Sequence, residues 1–219
     1  SIGNVVSPEE VIEKYSADTL RYYLLDANKP WDDLKFNWDE VQNSSKLFNI
    51  LWNVYYFSTT YMSLDNFNPT EHNKEDLHFR KEDLWIRSRI NTLIKQVDAC
   101  YNDYEPTKAG RLIQDFVNDN LSNWYVRLNR KRFWGGGMTQ DKLSAYQTLY
   151  TCLEVVAKLM APIAPFYADM LYNDLTSVTG RDNVVSVHLS NYPVCNEEMI
   201  DASLEARMKM AQDATSMVL

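Results

Sequence analysis

Residues 106–134 read PTKAGRLIQDFVNDNLSNWYVRLNRKRFW, and three glycines, 135–137, follow directly. Proline at the first position and glycines after the last are typical of the two ends of one helix, which we predict from Pro106 to Phe133. Apolar residues recur within it at α-helical spacing and should face a core. These residues are Ile113, Phe116, Val117, Leu121, Trp124 and Leu128. Because Leu128 is the last of this stripe, we expect the final turn to project beyond the core.

The C-terminal end of the predicted helix combines a run of cations with aromatic residues. An α-helix turns by about 100° per residue, so four more residues lie together on the face beside the apolar stripe: Asn123, Arg127, Arg130 and Trp134. A structural interpretation is open, since cations in the last turn favour the helix dipole by about 0.3–1 kcal/mol each and a terminal Trp can cover a core. A functional interpretation is also open. Arginines neutralise phosphates and an aromatic ring stacks on an unpaired base, as in binding of single-stranded nucleic acid.

The composition is that of a globular protein. Of the 219 residues, 45% are hydrophobic and 13% aromatic, which is too apolar for a disordered chain. No apolar run approaches the roughly 18 residues of a transmembrane helix, and the N-terminal residues lack the basic and apolar parts of a secretory signal. Three separated cysteines without a CxxC pair suit a reducing compartment, and together with three histidines they give no metal motif.

The net charge of −8 argues at first against a nucleic-acid partner, but the charge is unevenly distributed. Residues 1–79 carry six basic and 13 acidic side chains, residues 80–134 carry eleven and seven, and residues 135–219 carry five and ten. Residues 120–140 contain four cations and no acid. Binding to phosphates depends on the local patch more than on total charge. An acidic body with one basic end would bind such a ligand locally.

Helix start signals recur along the chain and predict an all-α fold. Capping patterns begin at Ser7 and Asn37, and Thr139 is a further N-cap. We predict an antiparallel helix bundle with four long helices, at about 37–62, 81–104, 106–133 and 139–160. Residues 184–189, VVSVHL, are predicted to form one short β stretch because they are β-branched.

The order of these elements predicts three parts. Residues 1–36 form a short helical connector, residues 37–195 form the bundle, and residues 196–219 begin a further helical segment that is cut short. No catalytic constellation is found along them, because the acidic pairs lie in caps and loops. Glycines 135–137 lack the strand and the lysine of a phosphate-binding loop. We therefore predict no catalytic residue and no metal ligand.

The segment SNWYVRLNRKRFW, residues 122–134, closely resembles the signature helix of the anticodon-binding domain of class I isoleucyl-tRNA synthetases. The stretch SIGNVVSPEEVIEKYSADTLRYYLL is similar to the segment that follows the catalytic Lys-Met-Ser-Lys loop of that family. Further blocks resemble the same domain in the same order: LFNILWNVYYF, DLWIRSRINTLI, MAPIAPFYADMLY and SVHLSNYP. Synthetases for valine, leucine and methionine share the Asn-Trp-Tyr-like core, and the basic-aromatic run at 130–134 favours isoleucine.

The resemblance implies the tRNA-binding module of an ATP-dependent isoleucine–tRNA ligase, with a nucleotide-binding and an editing domain preceding it and further sequence following it. ATP and Mg are then cofactors of the parent enzyme, while this fragment has no cofactor and is expected to be inactive alone. The implied partner is the anticodon stem-loop of tRNA, and we expect a cytoplasmic monomer without membrane contact. A module of a sister synthetase for valine, leucine or methionine, or a helical protein-interaction scaffold, is the alternative.

The resemblance also suggests the residues that bind RNA. Four cations are assigned to phosphates or base edges: Arg127, Arg130, Lys131 and Arg132. Asn123 would supply an amide to a base and Trp134 a stacking face, since unpaired anticodon bases can be read on their edges. In the methionine enzyme an asparagine on the equivalent helix and a tryptophan help to read the anticodon, which supports Asn123. Additional tRNA contacts are expected from four more cations: Arg80, Lys81, Arg87 and Arg89.

Overall fold

The computed structural model describes residues 5–28, 31–73, 76–177, 179–180 and 184–218, and their regular structure is entirely helical. The α-helices are α1 Pro8–Lys14, α2 Ala17–Asp26, α3 Trp38–Leu64, α4 Lys81–Asn102, α5 Pro106–Asp115, α6 Arg127–Trp134, α7 Gln140–Met160, α8 Pro165–Thr176 and α9 Ala202–Val218. Between α5 and α6 the chain continues as a π-helix, Phe116–Val126. Residues 106–134 therefore form one long helix, which we call the rod. Among the described helices, none combines the length and the apolar composition of a membrane span.

Local sequence explains where several helices begin. The predicted N-caps at Ser7, Asn37 and Thr139 are confirmed, and each side chain accepts a hydrogen bond from an N–H of the first turn. Ser16 is a further N-cap, whose hydroxyl accepts from the N–H of Thr19 at 3.0 Å. Those N–H groups have no partner within the helix, so capping stabilises each start by about 0.5–2 kcal/mol.

Helix α4 and the rod run antiparallel along their whole length. Only residues 103–105 join them, so they leave the connection side by side. Further along, Arg89 donates to Asn120 at 3.2 Å, and at the far end Arg132 donates to Asp83 at 2.9 Å. The start of α4 thus lies beside the end of the rod.

Helices α7 and α3 bring two more helix ends to the same place. Asp141, at the start of α7, accepts a hydrogen bond from Arg132 at 2.8 Å. Asp65, which follows the last residue of α3, accepts one from Tyr146 of α7. The four long helices therefore alternate in direction, as predicted. We call the end of the bundle at which they meet the tip; its central polar residues are Asp65, Asp83, Arg132, Asp141 and Lys142.

The rod does not keep the α-helical period that the sequence analysis assumed. One line of its buried positions recurs every four residues, and each of these residues is at most 2% exposed: Ile113, Val117, Leu121, Tyr125, Asn129 and Phe133. In an α-helix a step of four residues overshoots a full turn by about 40°, so after five steps the last side chain would point about 200° away from the first. The i→i+5 hydrogen bonds of the π-helix give more residues per turn, which keeps all six positions on one side.

This register changes which residues reach the core at the tip. Leu128, the expected last core residue, is 52% exposed, and Phe133 is 1% exposed. The ring of Phe133 packs against Phe57 and Tyr146, with centroids 5.6 and 5.4 Å apart. The expectation that the final turn projects beyond the core is therefore wrong, because one side of that turn is buried.

The predicted β stretch at 184–189 is also wrong, since the described residues contain no strand. Val187–Leu189 forms one 3₁₀ turn. Asp169 of α8 accepts hydrogen bonds from the hydroxyl of Ser186 and the N–H of Val187, both at 2.8 Å. A strand requires a partner strand for its backbone groups, and here an aspartate side chain takes that place.

Candidate nucleic-acid interface

Helix α6 divides its side chains between two opposite environments. The exposed side carries Arg127, Arg130, Lys131 and Trp134. Their spacing of i, i+3, i+4 and i+7 places them on one face of an α-helix. The buried side carries Asn129, Arg132 and Phe133. We call the exposed set the cationic face.

The three cations of the cationic face have no counter-ion in the part of the chain that the structure describes. No hydrogen bond or ion pair joins the side chains of Arg127, Arg130 or Lys131 to any described residue. Other cations at the tip are engaged, since Lys142 donates to the carbonyl of Gly135 at 2.8 Å and forms an ion pair with Asp65. The cationic face can therefore neutralise an anionic ligand without first breaking an internal ion pair.

Trp134 closes the cationic face at the end of the rod. It is 56% exposed, whereas the neighbouring Phe133 is buried in the core. The glycines that follow lie in open space, because a Cβ added at Gly136 or Gly137 would meet no atom within 4 Å. Gly137 has a φ of 76°, a left-handed conformation that favours glycine. The Trp134 side chain is thus accessible to a ligand.

Asn123 extends the cationic face toward the middle of the bundle. It is exposed and lies in the π-helical part of the rod, four residues before Arg127. Since the buried positions of the rod recur every four residues, the exposed positions Asn123, Arg127 and Lys131 also follow one line. Five of the six residues assigned to RNA binding in the sequence analysis are therefore exposed on neighbouring positions of the rod.

Arg132, the sixth residue, is located differently from its assignment to phosphates or base edges. It is 8% exposed, and its guanidinium donates to both carboxylate oxygens of Asp83, each at 2.9 Å. It also donates to Asp141 of α7 at 2.8 Å. Burial works against the charged form, but the hydrogen bonds and charge of Asp83 outweigh it and raise the pKa of Arg132. We therefore exclude Arg132 from the surface that meets a ligand.

Asp83 is the acceptor at the centre of the buried side. Besides Arg132, the hydroxyl of Tyr125 donates to it at 2.6 Å and the N–H of Arg80 at 2.8 Å. Burial, and then the charge of Asp83, raise the pKa of Tyr125 well above its ordinary value, so this hydroxyl remains a donor. The sequence analysis did not identify this cluster. Its members are 42 and 49 residues apart in the chain, and no local pattern links them.

The four additional cations named in the sequence analysis do not form one surface. Arg80 and Arg89 form ion pairs with acidic side chains of α7 and α9, at 2.6 and 3.0 Å. The guanidinium carbon of Arg87 lies 4.4 Å from the centre of the Phe79 ring. Lys81, at the start of α4, is exposed and has no bonded partner among the described residues. Only Lys81 resembles the cations of the cationic face. The described residues also contain no cluster of His, Cys, Asp and Glu arranged to hold a metal ion.

Comparison with known proteins finds similarity to tRNA ligases. Residues 83–219 match the family described as the anticodon-binding domain of tRNA ligase, and residues 1–59 match the family described as class I tRNA synthetases (M). The chain is 63% identical to isoleucine–tRNA ligases of Bacteroides fragilis and Bacteroides thetaiotaomicron, over 100% of this chain and 19% of each relative. It is 49% identical to that of Methanothermobacter marburgensis, over 97% of this chain and 20% of the relative. The chain thus spans about a fifth of the length of the curated relatives it matches.

A solved structure shares the fold. The crystal structure of a ternary complex of Agrobacterium radiobacter K84 LeuRS, tRNA and LeuAMS matches with a TM-score of 0.66 and 18% sequence identity. The match covers 92% of this chain and 22% of that chain. At this identity the likeness concerns the fold alone.

Proposed function

This chain belongs to the anticodon-binding domain family of tRNA ligases, and from that premise we propose that it binds the anticodon stem-loop of tRNA through the cationic face. The observation that carries the proposal is the set of three cations, unpaired within the described part of the chain, beside an exposed indole at the tip. Anticodon bases are unpaired, so they can be splayed apart, stacked on aromatic rings and recognised by their edges. Phosphates on both sides of such a base would meet the cations.

The residues of the surface have three kinds of role in this proposal. Arg127, Arg130 and Lys131 bind phosphates or base edges, and Trp134 stacks on one unpaired base. Asn123 offers an amide, which carries both a donor and an acceptor and can therefore pair with the edge of a base. Lys81 adds a phosphate contact from the start of α4.

The parent protein is proposed to be an isoleucine–tRNA ligase, which attaches isoleucine to its tRNA with ATP and Mg in the cytoplasm. The identity of 63% to two isoleucine–tRNA ligases supports isoleucine over valine, leucine or methionine. Because the chain spans about a fifth of those relatives, we assign amino-acid activation to other parts of the parent protein. This 219-residue chain alone should not exchange pyrophosphate with ATP in the presence of isoleucine.

Titration of a labelled anticodon stem-loop at several salt concentrations tests the proposed surface. Replacing Arg127, Arg130 and Lys131 with alanine should weaken binding and lower the salt slope by roughly one unit per lost phosphate contact. A matched control replaces Lys35 and Lys46, near the start of α3. Lys46 lies on α3, 19 positions before Asp65 of the tip. That separation is about 28 Å along a helix, so Lys46 is far from the cationic face.

Equal losses from the two sets of substitutions would contradict a specific RNA surface at the tip. Binding that does not depend on salt would instead favour the protein-interaction scaffold. A stem-loop with a leucine anticodon serves as a competitor, and equal affinity for it would contradict the isoleucine assignment of the parent.

A further inference from the structure

The cationic face lies over a buried ion-pair network that joins three helices. The side chains of Arg132 and Asp83 are 5% and 0% exposed. From α6, Arg132 donates to Asp83 of α4, to the carboxylate and the backbone carbonyl of Asp141 of α7, and to Asn129 at 2.7 Å. Asn129 in turn donates to the carbonyl of Tyr125 at 2.8 Å. One guanidinium therefore fixes α6 against both of its long neighbours.

Within α6 itself, the polar contacts to the neighbouring helices are concentrated in this network. The buried residues of α6 are Asn129, Arg132 and Phe133, and Asn129 belongs to the same network. The ring of Phe133 adds apolar contacts with Phe57 and Tyr146. A guanidinium bound through two parallel hydrogen bonds to a carboxylate accepts one orientation, which a lysine in its place would not require.

We propose that Arg132 is a positioning residue for RNA binding. It does not touch the RNA; it fixes the orientation at which the cationic face meets the stem-loop. Asp83 and Asp141 are the carboxylates through which it acts. This inference rests on the proposed function of the cationic face.

Orientation and stability can be separated at this site. Removing one partner of a buried ion pair leaves an uncompensated charge, whereas replacing both partners by neutral groups of similar volume often preserves stability. Asp83→Asn combined with Arg132→Met neutralises both groups while it keeps most of their volume. Asp141 remains satisfied in this variant, because it also binds Arg80 at 2.6 Å.

A double-mutant cycle tests the inference on the 219-residue chain. The four proteins are the unaltered chain, Arg130→Ala/Lys131→Ala, Asp83→Asn/Arg132→Met, and the combination of all four substitutions. The affinity of each for the labelled stem-loop is measured together with its urea unfolding midpoint. Asp83→Asn/Arg132→Met should unfold near the midpoint of the unaltered chain and bind the stem-loop about tenfold more weakly. In the background without Arg130 and Lys131 that loss should shrink to less than about threefold, because residues that act through one another are not additive.

Each other outcome of the cycle has a definite meaning. Unaltered affinity of Asp83→Asn/Arg132→Met, with its stability preserved, would overturn the inference, because Arg132 would then serve stability alone. The same tenfold loss in both backgrounds would also overturn it, because Arg132 would then act independently of the cationic face. Failure of the proposed function appears elsewhere, as unchanged binding by Arg130→Ala/Lys131→Ala, and the inference would fail with it.

Asp141→Asn provides a second route, which decides the matter if Asp83→Asn/Arg132→Met does not fold. The side chain of Asp141 is 34% exposed, and the pair between Arg132 and Asp83 remains intact in this variant. Removing a negative charge near an anionic ligand should by itself strengthen binding. We expect instead a loss of about threefold, with Asp213→Asn on α9 as the matched control without effect. Stronger or unchanged binding by Asp141→Asn would overturn the inference.

Discussion

Arg130 and Arg132 are the same residue type, two positions apart on one helix, and they occupy opposite environments. Arg130 is exposed and unpaired among the described residues, while Arg132 is buried and bonded to two carboxylates. A charged side chain enters a core only with partners that compensate its desolvation. The run Arg130-Lys131-Arg132 therefore combines cations that a ligand can use with one that the fold uses.

The largest effect should come from removing the buried member of this comparison. Arg132→Ala leaves Asp83 buried without its counter-ion, and we expect a loss of about 3–5 kcal/mol of unfolding free energy. Arg130→Ala, at an exposed position without a partner, should stay within about 0.5 kcal/mol of the unaltered chain. Urea unfolding measures both, and similar losses would contradict the division of α6 into two sides.

Trp134 and Phe133 provide the same contrast between an exposed and a buried residue, and Trp134 extends it to RNA binding. Trp134→Ala should weaken binding of the anticodon stem-loop by about 1–3 kcal/mol, the value of one base–aromatic stack, with little change in stability. Phe133→Ala should instead cost about 3–5 kcal/mol of stability, because that ring is buried. A large loss of stability in Trp134→Ala, with unchanged affinity of the folded fraction, would rule out stacking.

A smaller effect concerns Lys142, a second buried cation at the tip, which forms an ion pair with Asp65 and so contrasts with exposed Lys131. Burial of Asp65 tends to raise its pKa, but the hydrogen bonds of Lys142 and Tyr146 outweigh this and lower it. A carboxyl with a lowered folded-state pKa stabilises the fold above its unfolded value of about 3.9, and this contribution is lost as the pH falls through the folded value.

In Asp65→Asn the unfolding free energy should therefore fall less steeply as the pH is lowered. Urea unfolding between pH 2 and 6, in roughly half-unit steps, measures this dependence. Tyr146→Phe, which removes one of the two donors to Asp65, should flatten it less. A pH dependence unchanged by Asp65→Asn would contradict the contribution of this ion pair.

The smallest effect tests the register of the rod. Leu128→Ala should change the unfolding free energy by about 0.5 kcal/mol or less, because Leu128 is 52% exposed. Leu121→Ala, at a fully buried position, should cost about 2–5 kcal/mol. If the rod were a regular α-helix with Leu128 in the core, the two substitutions would cost similar amounts.

The sequence was sufficient where the relevant physics is local. Helix starts depend on a cap and the turn after it, and the caps at Ser7, Asn37 and Thr139 are therefore where the sequence predicts them. The exposed positions Arg127 and Trp134 also follow from helical spacing within a few turns. These short-range rules were enough for the bundle and for most of the candidate surface.

Features that depend on distant partners could not be predicted in this way. Arg132 looks like its neighbours in sequence, and only Asp83, 49 residues earlier, makes it a core residue. The β-branched residues at 184–189 predicted a strand, but Asp169 binds their backbone in its place. The π-helix escaped prediction because a period of 3.6 residues was assumed, and the error accumulated until Leu128 replaced Phe133 in the predicted core.

The π-helix also limits how this proposed RNA-binding element can be reused in design. Residues 122–134 grafted onto an ideal α-helical scaffold would keep the order of their side chains and lose their orientation relative to the scaffold core. Across the span from Ile113 to Phe133 a regular helix would point the last side chain about 200° away from the first, whereas here both lie on the buried side. A designed binder should therefore transfer the whole rod with its irregular turns, or move its apolar anchors to the positions that a regular helix would bury.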